Sequence, residues 1–248
     1  MALDTVFLKL HADFPLSGVG ADWCSREAVL RLPPLRKPPS IIDLGCGAGR
    51  QTILLAKHFR SPIQAVEIDH EKLSQLMEAA AAVEVSQWIR PRNERFTHLP
   101  DVPDSYDLIW SEGPGWRLGL RQALTIWGPL LRPRGVMVVS EITWLGARRP
   151  EESAAFWARV NPTMTDIDGN LEIAEQAGFH VFDFFVLPRS TWWEDYYGPL
   201  SRRVLDLRQR KDVLPAEANL LDEAQAEIDM FKRFGSCFGC VFFMLRPV

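Results

Sequence analysis

Apolar residues fall into two kinds of stretch along this chain. Short continuous runs, typical of strands buried on both faces, alternate with stretches in which apolar residues recur every three or four positions, as on one face of a helix. The runs predict strands over residues 40–44, 62–69, 95–99, 105–113, 136–141, 179–187 and 240–245. The helical spacing predicts helices over residues 22–32, 53–56, 71–88, 118–131, 150–160 and 165–177, and a mostly helical stretch over 191–234.

Strands and helices thus alternate with short connections. This order predicts an α/β fold with a doubly wound, mostly parallel sheet, within one domain that spans residues 1–248. We expect residues 1–39 to form a helical lid or cap, and residues 191–236 to form a helical insertion before the last strand. The glycine-rich loop over residues 15–23 fits a lid over a ligand and a plain connector equally well.

A glycine-rich turn follows the first predicted strand. Gly45 and Gly47 lack a Cβ atom, so the backbone can take a positive φ and a ligand can approach the main chain. The helix after the turn presents unpaired N–H groups and the positive end of its dipole. A polar or anionic ligand is therefore expected here, held by bare main-chain amides; the alternative is an ordinary strand–helix turn.

The spacing of the turn separates it from two common nucleotide sites. It runs G-x-G-x-G with Arg50 next, whereas the dinucleotide fingerprint is G-x-G-x-x-G and the P-loop ends in Gly-Lys-Ser/Thr. Twenty residues beyond Gly47, Glu67 lies at the end of the second predicted strand. An acid at that place can accept hydrogen bonds from both hydroxyls of a ribose.

These residues resemble a known family. Ile-Ile-Asp-Leu-Gly-Cys-Gly-Ala-Gly over residues 41–49, followed by Ala-Val-Glu-Ile-Asp over 65–69, is similar to the class I S-adenosylmethionine-dependent methyltransferases. The resemblance implies a seven-stranded, Rossmann-like sheet whose last strand inserts antiparallel beside the sixth. It also implies S-adenosylmethionine as cofactor, with Gly45, Cys46 and Gly47 at its methionine end and Glu67 at its ribose.

Further cofactor contacts follow from the same resemblance: Asp43, Ile68, Phe96, Thr97 and Glu112. The loop after the third strand departs from the family, which often has Asp-Ala-x-x-Leu-Pro there. Counting back from Leu99, those first two positions are Arg95 and Phe96, so the usual acid at the adenine edge is missing. Phe96 can still pack on the adenine ring, and Thr97 or backbone groups can supply polar contacts.

The end of the fourth predicted strand carries Glu112, beside the expected reaction centre. Three roles are consistent with this acid. It can lie near the cofactor's ammonium or sulfonium, it can act as a base for the substrate, or it can be an ordinary acid in a loop. We rank Glu112 and Tyr196 first as catalytic groups, with Glu141 and His98 as other candidate bases. The sequence Ser-Glu-Gly-Pro replaces the Asp/Asn-Pro-Pro-Tyr/Phe of amino-directed nucleic-acid methyltransferases, which disfavours that subclass.

Aromatic residues and acids are concentrated directly after the sixth predicted strand. Trp192, Glu194 and Tyr196 match a Trp-x-Asp/Glu-x-Tyr pattern, and together with Ser-Glu-x-x-Trp over residues 140–144 they resemble a bacterial subgroup of small-molecule methyltransferases whose substrates are unassigned. An aromatic wall with a carboxylate suits a flat or cationic acceptor. The alternative is that these aromatics anchor the insertion. The predicted substrate contacts are Trp116, Glu141, Trp144, Trp192 and Tyr196.

Composition narrows the partners and the location. The net charge of −4 argues against nucleic acid as a partner. We interpret the basic runs over residues 90–95 and 202–211 as solvent-exposed faces. No run approaches a membrane span and no secretory leader is evident, so we expect a cytoplasmic monomer or homodimer without a membrane partner. Cys237 and Cys240 form a lone C-x-x-C, too few ligands for zinc, so no metal is expected.

The leading hypothesis is therefore methyl transfer from S-adenosylmethionine to a small molecule. The alternative from another class is a catalytically silent protein that binds the cofactor to regulate or scaffold a partner. A nicotinamide-dependent oxidoreductase is a weaker option, disfavoured by Arg50 and by the late last strand.

Overall fold

A computed structural model describes residues 22–113, 118–210 and 214–248. These residues form one seven-stranded sheet in the order β3-β2-β1-β4-β5-β7-β6. The strands are β1 (Ile41–Leu44), β2 (Ile63–Glu67), β3 (Ile89–Asn93), β4 (Tyr106–Ser111), β5 (Leu131–Trp144), β6 (Phe179–Val186) and β7 (Phe238–Pro247). The first five pair in parallel, and β7 lies antiparallel between β5 and β6. The predicted mostly parallel sheet with an antiparallel last strand is confirmed.

Helices cover both faces of the sheet. They are α1 (Asp22–Leu30), α2 (Arg50–Phe59), α3 (His70–Ala82), α4 (Leu120–Trp127), α5 (Glu151–Val160), α6 (Ile167–Gln176), α7 (Arg189–Trp192), α8 (Gly198–Arg208) and α9 (Pro215–Phe234). Side chains alternate across each strand, so Val138 packs into one apolar core with α1, α2, α3, α5, α8 and α9. Its neighbour Val139 packs into the other core, with α4 and α6.

The chain order places a cleft at the middle of the sheet. β1 lies between β2 and β4, so the chain moves outward to β3 on one side and then returns to continue through β4 and β5 on the other. In open α/β sheets, ligands bind outside the carboxyl ends of the strands at such a reversal of strand order. The glycine turn, which leaves β1, lies at that point.

The predicted third strand over residues 95–99 is wrong. The observed β3 is Ile89–Asn93, an edge strand that pairs in parallel with β2, and residues 96–97 lie in a turn. Only Ile89 of this strand is buried, and Pro91 lies within it. Edge strands tolerate proline and need little apolar surface, so the apolar pattern that marks the other strands is missing here. The predicted helix over 71–88 accordingly ends at Ala82, with a short 3₁₀ turn at Ser86–Trp88.

β5 extends beyond its predicted bounds at both ends. It begins at Leu131, directly after a 3₁₀ turn at Gly128–Leu130, and continues to Trp144. Its register with β4 shifts between Tyr106 and Leu108. Pro133 and Gly135 therefore lie inside an irregular strand start, where the sequence predicted the end of a helix.

The segment between β6 and β7 is helical, as predicted. α7 runs directly into a π-helix, Trp193–Tyr197, which is followed by α8 and α9. The segment packs on the start of β7 through an aromatic cluster, in which Trp192 lies 5.1 Å from Phe231 and 5.9 Å from Phe238 between ring centroids. Short π-helical turns occur often at functional sites.

Candidate functional site

The glycine turn has the left-handed backbone that the sequence predicted. The φ angles are 71° at Gly45, 55° at Gly47 and 88° at Gly49. The expectation of bare amides is wrong, however, because Gly45 and Cys46 both donate their N–H groups to the Val66 carbonyl, at 2.8 and 3.0 Å. The turn is thereby fixed to β2. Since an ammonium group needs acceptors, carbonyl oxygens of the turn are better suited than its amides to hold an amino acid's amine.

Gly49 has a packing role that its place in the pattern did not reveal. A Cβ atom there would lie 2.0 Å from Cδ1 of Leu76 on α3, so only glycine lets α2 start against α3. This close approach resembles the purpose of the last glycine in the dinucleotide fingerprint, at a different spacing.

Glu67 and the glycine turn are directly hydrogen-bonded. Oε2 of Glu67 accepts from the Gly47 N–H at 3.0 Å, and Oε1 accepts from the N–H groups of Ile68 and Asp69 at 2.9 and 3.1 Å. These bonds fix the orientation of the carboxylate and occupy three of its about four lone-pair sites, so Oε2 can still accept from one hydroxyl of a ligand. The adjoining Ile68 side chain is 54% exposed, an uncovered apolar surface at the edge of the same cleft.

Asp43 lies under the turn. Its side chain is fully buried, and its oxygens accept from Thr52 and, at 3.3 Å, from Gln51, both on α2. Burial raises the pKa of Asp43 to about 7, against the opposing effect of the Thr52 hydrogen bond. This placement argues against the predicted cofactor contact and gives Asp43 the role of holding the turn to the helix.

The loop after β3 packs back onto the fold. The Phe96 carbonyl accepts from Trp127 Nε1 at 2.8 Å, and the two rings meet edge-on with centroids 6.0 Å apart. Thr97 Oγ1 contacts His98 Nδ1 at 2.8 Å. An open surface cavity lies beside them, lined by Glu94, Arg95, His98, Leu99 and Pro100. Phe96 is therefore a partly buried support of this loop, and its contact with an adenine ring remains a prediction.

Glu112 is held by three donors. Oε1 accepts from Ser25 Oγ at 2.6 Å and from Trp110 Nε1 at 2.8 Å, while Oε2 forms an ion pair with Arg50. The Glu112 side chain is only 3% exposed and that of Arg50 is 15% exposed. A carboxylate bound in this way is poorly placed to take a proton from a substrate. The structure favours a positioning role over the predicted base.

Arg50 makes contacts at the site that the sequence did not predict. Besides Glu112, it donates to Ser25 Oγ at 3.1 Å and contacts Asp22 at 3.5 Å, so one guanidinium joins α1, α2 and the end of β4. Its charge also lowers the pKa of Asp195 on the π-helix, although burial is the larger influence and the pKa is raised overall. One indication of this role was present in the sequence: an arginine occupies the position at which the dinucleotide fingerprint has its last glycine.

Glu141 lies at the carboxyl end of β5, 4% exposed. Its Oε1 is buried and has no hydrogen-bond partner among the described residues. Burial alone raises the pKa of Glu141 to about 8, so the carboxyl is protonated over much of the neutral range. Its predicted role as a substrate contact remains open, and its lack of a partner is unusual for a buried acid.

Residues 41–135 match a family model described as a methyltransferase domain. This stretch of the chain is similar to methyltransferase domains. A protein of Haemophilus influenzae, described as uncharacterised, is 23% identical over 150 residues, which is 58% of this chain. The match spans only 60% of that relative's length.

Solved structures share the fold of this chain. A SAM-dependent methyltransferase of Geobacter sulfurreducens in complex with S-adenosylhomocysteine matches with a TM-score of 0.81 and 16% identity over 98% of each chain. The [4+2]-cyclase SpnF matches at 0.76 and 16%, over 99% of this chain and 93% of its own. The geranyl diphosphate C-methyltransferase of Streptomyces coelicolor A3(2) matches at 0.66 and 13%, over 91% and 77%. These likenesses establish the class I methyltransferase fold.

The aromatic residues predicted to contact substrate are mostly buried. Trp144 is 4% and Trp192 1% exposed, and both pack on Phe238. Trp192 Nε1 is buried without a partner among the described residues. Their placement favours the alternative, in which they anchor the insertion. Tyr196 is half-buried, with its ring edge-on to Tyr197 at 4.9 Å, and Trp116 lies outside the described residues.

Two further properties of the described residues concern a helix able to span a membrane and a group of side chains able to hold a metal ion. Within residues 22–113, 118–210 and 214–248, no helix is both long and apolar enough to cross a bilayer. In the same ranges, no group of three or more His, Cys, Asp or Glu side chains has a geometry that could hold a metal ion. The C-x-x-C cysteines are buried free thiols at the start of β7.

Proposed function

We propose that this protein transfers a methyl group from S-adenosylmethionine to a small-molecule acceptor. The observation that carries the proposal is the hydrogen bond between Gly47 N–H and Glu67 at the reversal of strand order. It brings a glycine turn and a ribose-binding acid to one cleft, in a domain whose family model is that of methyltransferases. The nearby solved structures named as methyltransferases with S-adenosylhomocysteine support the same cofactor.

The residues at the cleft fit the parts of this cofactor. Carbonyl oxygens of the turn over residues 45–47 would accept from the methionine ammonium, and Glu67 would accept from a ribose hydroxyl. The exposed side chain of Ile68 offers an apolar surface for the adenine ring, with the Phe96 and Thr97 loop at its other edge. The cofactor would supply a methyl carbon already activated by positive sulfur.

The chain's own contribution is alignment and the exclusion of water. Arg50 ties α1 to the end of β4 through Ser25 and Glu112, which supports the proposed role of residues 1–39 as a cap. Trp144, Trp192 and Phe238 pack on one another in the core and hold the helical segment before β7 against the sheet. With Glu112 held by three donors, Tyr196 and Glu141 are the better candidates for a proton acceptor.

Two observations support a small-molecule acceptor: the name of one structural neighbour and the net charge of the chain. The structural neighbour from Streptomyces coelicolor is named for geranyl diphosphate, a small molecule. The net charge of −4 disfavours a polyanionic substrate. We also propose that the protein works in the cytoplasm, as a monomer or homodimer, without a nucleic-acid or membrane partner.

A catalytically silent cofactor-binding protein is the second candidate. Two observations favour it. Glu112 already accepts hydrogen bonds within the protein, such as that from Trp110 Nε1. A structural neighbour of the same fold is named as a [4+2]-cyclase. Fold alone does not determine the reaction.

Turnover separates the two candidates. The full-length protein would be incubated with S-adenosylmethionine and fractionated small-molecule extracts, and S-adenosylhomocysteine formation would be followed by mass spectrometry. The enzyme hypothesis predicts product formation with at least one fraction, and much less product from the Glu67→Ala variant when the S-adenosylmethionine concentration is limiting. Tight cofactor binding with no product in any fraction would favour the silent protein.

A further inference from the structure

The open surface cavity after β3 is large enough to hold part of a ligand. Its volume is about 650 Å³, and it is lined by Glu94, Arg95, His98, Leu99 and Pro100. Pockets that bind small molecules have volumes of this order. The contacts described above for the glycine turn, Glu67 and Glu112 do not involve its lining, so the cavity still needs an explanation.

Hydrogen bonds between β3 and β2 place this cavity beside the proposed ribose site. Asn93, the last residue of β3, is the register partner of Glu67. Its Nδ2 donates to the carbonyls of Glu67 and Ile68, at 3.2 and 2.8 Å. Arg95 follows two residues later, and two residues of extended chain span at most about 7 Å. A base attached to a ribose at Glu67 therefore lies within reach of the Arg95 side chain.

A turn brings two polar residues of the lining together. The His98 N–H donates to the Arg95 carbonyl at 2.9 Å, which closes a turn over residues 95–98. Nδ1 of His98 is in contact with Thr97 Oγ1 at 2.8 Å, so Nε2 is the ring nitrogen left for a ligand. When the Thr97 hydroxyl donates to Nδ1, Nε2 carries the ring hydrogen and is a donor, like the guanidinium of Arg95.

Arg95 supplies the unpaired charge of this cavity. The other charged residue of the lining, Glu94, forms an ion pair with Arg92 at 2.6 Å, and Arg92 also pairs with Asp101 at 2.7 Å. No residue in the described part of the chain forms a hydrogen bond or an ion pair with the Arg95 side chain. Among these lining residues, the cavity therefore offers the N–H donors of a guanidinium and no unpaired carboxylate.

We propose that Arg95 binds the base of the cofactor through acceptor atoms, and that the 6-amino group of adenine is not what this site recognises. The inference rests on the proposed function and adds a specificity-determining residue to it. A guanidinium donates two N–H groups in a planar fork that matches O6 and N7 of a purine. Adenine presents N7 as its single acceptor at that edge, whereas a 6-oxopurine presents both. The site therefore holds a 6-oxopurine at least as tightly as adenine.

Isothermal titration with base-matched ligands tests this assignment. S-adenosylhomocysteine and S-inosylhomocysteine, which has a 6-oxo group in place of the 6-amino group, would be titrated into the full-length protein. We expect wild type to bind the 6-oxo compound within about three-fold of the 6-amino compound, or more tightly. In Arg95→Leu, both compounds should bind about five-fold or more weakly, because both lose the donors of the guanidinium.

Exchanging the donor for an acceptor gives a change of specificity that a loss of stability does not produce. Arg95→Glu should reverse the preference, so that the 6-amino compound binds about ten-fold more tightly than the 6-oxo compound. Arg90→Leu is the matched control for the lost positive charge. Arg90 is an exposed arginine near the opposite end of β3, and its loss should leave both affinities unchanged.

The results separate this inference from the proposed function. The inference is overturned if wild type binds the 6-oxo compound more than about three-fold more weakly than the 6-amino compound, or if Arg95→Leu leaves both affinities unchanged. The proposed function survives either result, since it requires only that S-adenosylhomocysteine binds. If wild type binds neither compound, the proposed function fails and this inference fails with it.

Discussion

At the residue scale, the site depends on pairs that are far apart in the chain. The sequence placed Glu67 correctly opposite the glycine turn, because the turn and the strand that follows it obey a fixed spacing. It did not predict the Arg50–Glu112 ion pair, whose members are 62 positions apart and belong to no common motif. The consequence is a change of role for Glu112, from predicted base to part of a buried network that fixes α1 over the cleft.

Removing Arg50 while keeping Glu112 should destabilise the folded protein. Arg50→Met leaves the Glu112 carboxylate buried with the hydrogen bonds of Ser25 and Trp110 but no counter-charge, and we expect a loss of about 3–5 kcal/mol in unfolding free energy. Urea denaturation measures the loss. The double variant Arg50→Met/Glu112→Leu should be more stable than the single one, since it removes the stranded charge. A loss below about 0.5 kcal/mol for Arg50→Met would contradict the buried pair.

Removing the Glu67 carboxylate should weaken cofactor binding. Glu67→Ala deletes two acceptor oxygens, and we expect S-adenosylhomocysteine to bind about 10- to 100-fold more weakly, which is about 1.4–2.8 kcal/mol. Glu71→Gln is the control, because Glu71 is an exposed acid in the first turn of α3 and its loss should leave the affinity unchanged. Equal affinities for wild type and Glu67→Ala would remove the ribose assignment.

At the element scale, the sequence predicted the elements that carry a strong apolar pattern. β1, β2, β4 and β7 are buried along most of their length and were recognised. The position of β3 was predicted wrongly because it is an edge strand with one buried residue. Its other residues are polar or proline, so it has no apolar pattern in the sequence. The irregular start of β5 was missed since proline and glycine there predict a break, while tertiary pairing with β4 overrides that local preference.

The junction of α2 and α3 should require glycine at position 49. Gly49→Ala adds a Cβ atom 2.0 Å from Leu76 at a φ of +88°, and we expect a loss of about 2–4 kcal/mol in stability. Gly146→Ala is the matched control, because nothing lies within 4 Å of its added Cβ atom and its change should stay within about 0.5 kcal/mol. Thermal unfolding of both variants measures the difference; equal midpoints would refute the close packing of α2 on α3.

The acids at the ends of β1 and β5 should make stability depend on pH. Burial raises the pKa of Asp43 from 3.8 to about 7, against its hydrogen bonds from Thr52 and Gln51, and the pKa of Glu141 from 4.5 to about 8. Glu112 raises and Arg50 lowers the pKa of Asp43. Because both pKa values are higher in the folded state, their stabilising contribution is complete below about pH 4 and is lost as pH rises through 7 and 8.

Thermal unfolding across pH 5 to 9 measures this effect. The midpoint of wild type should fall as pH rises through this range, relative to that of Glu141→Gln, which removes one of the two titrations. Parallel curves for wild type and Glu141→Gln would show that Glu141 does not titrate in this window.

At the scale of the whole molecule, strand order creates the site. The reversal at β1 brings the glycine turn, the end of β2 and the end of β4 to one cleft, and α1 closes one side of it through Ser25. Alternating strands and helices predicted this sheet, and the family resemblance supplied its antiparallel last strand. The substrate-contacting residues were harder to predict. Trp144 and Trp192 were expected to contact substrate, but they are buried in the core that joins the insertion to β7.

The most direct test of the account is titration of the full-length protein with S-adenosylhomocysteine, with NADH as the competing ligand class. The account predicts saturable binding of one S-adenosylhomocysteine per chain and no measurable binding of NADH. Failure to bind S-adenosylhomocysteine, or preference for NADH, would contradict the assignment of this cleft.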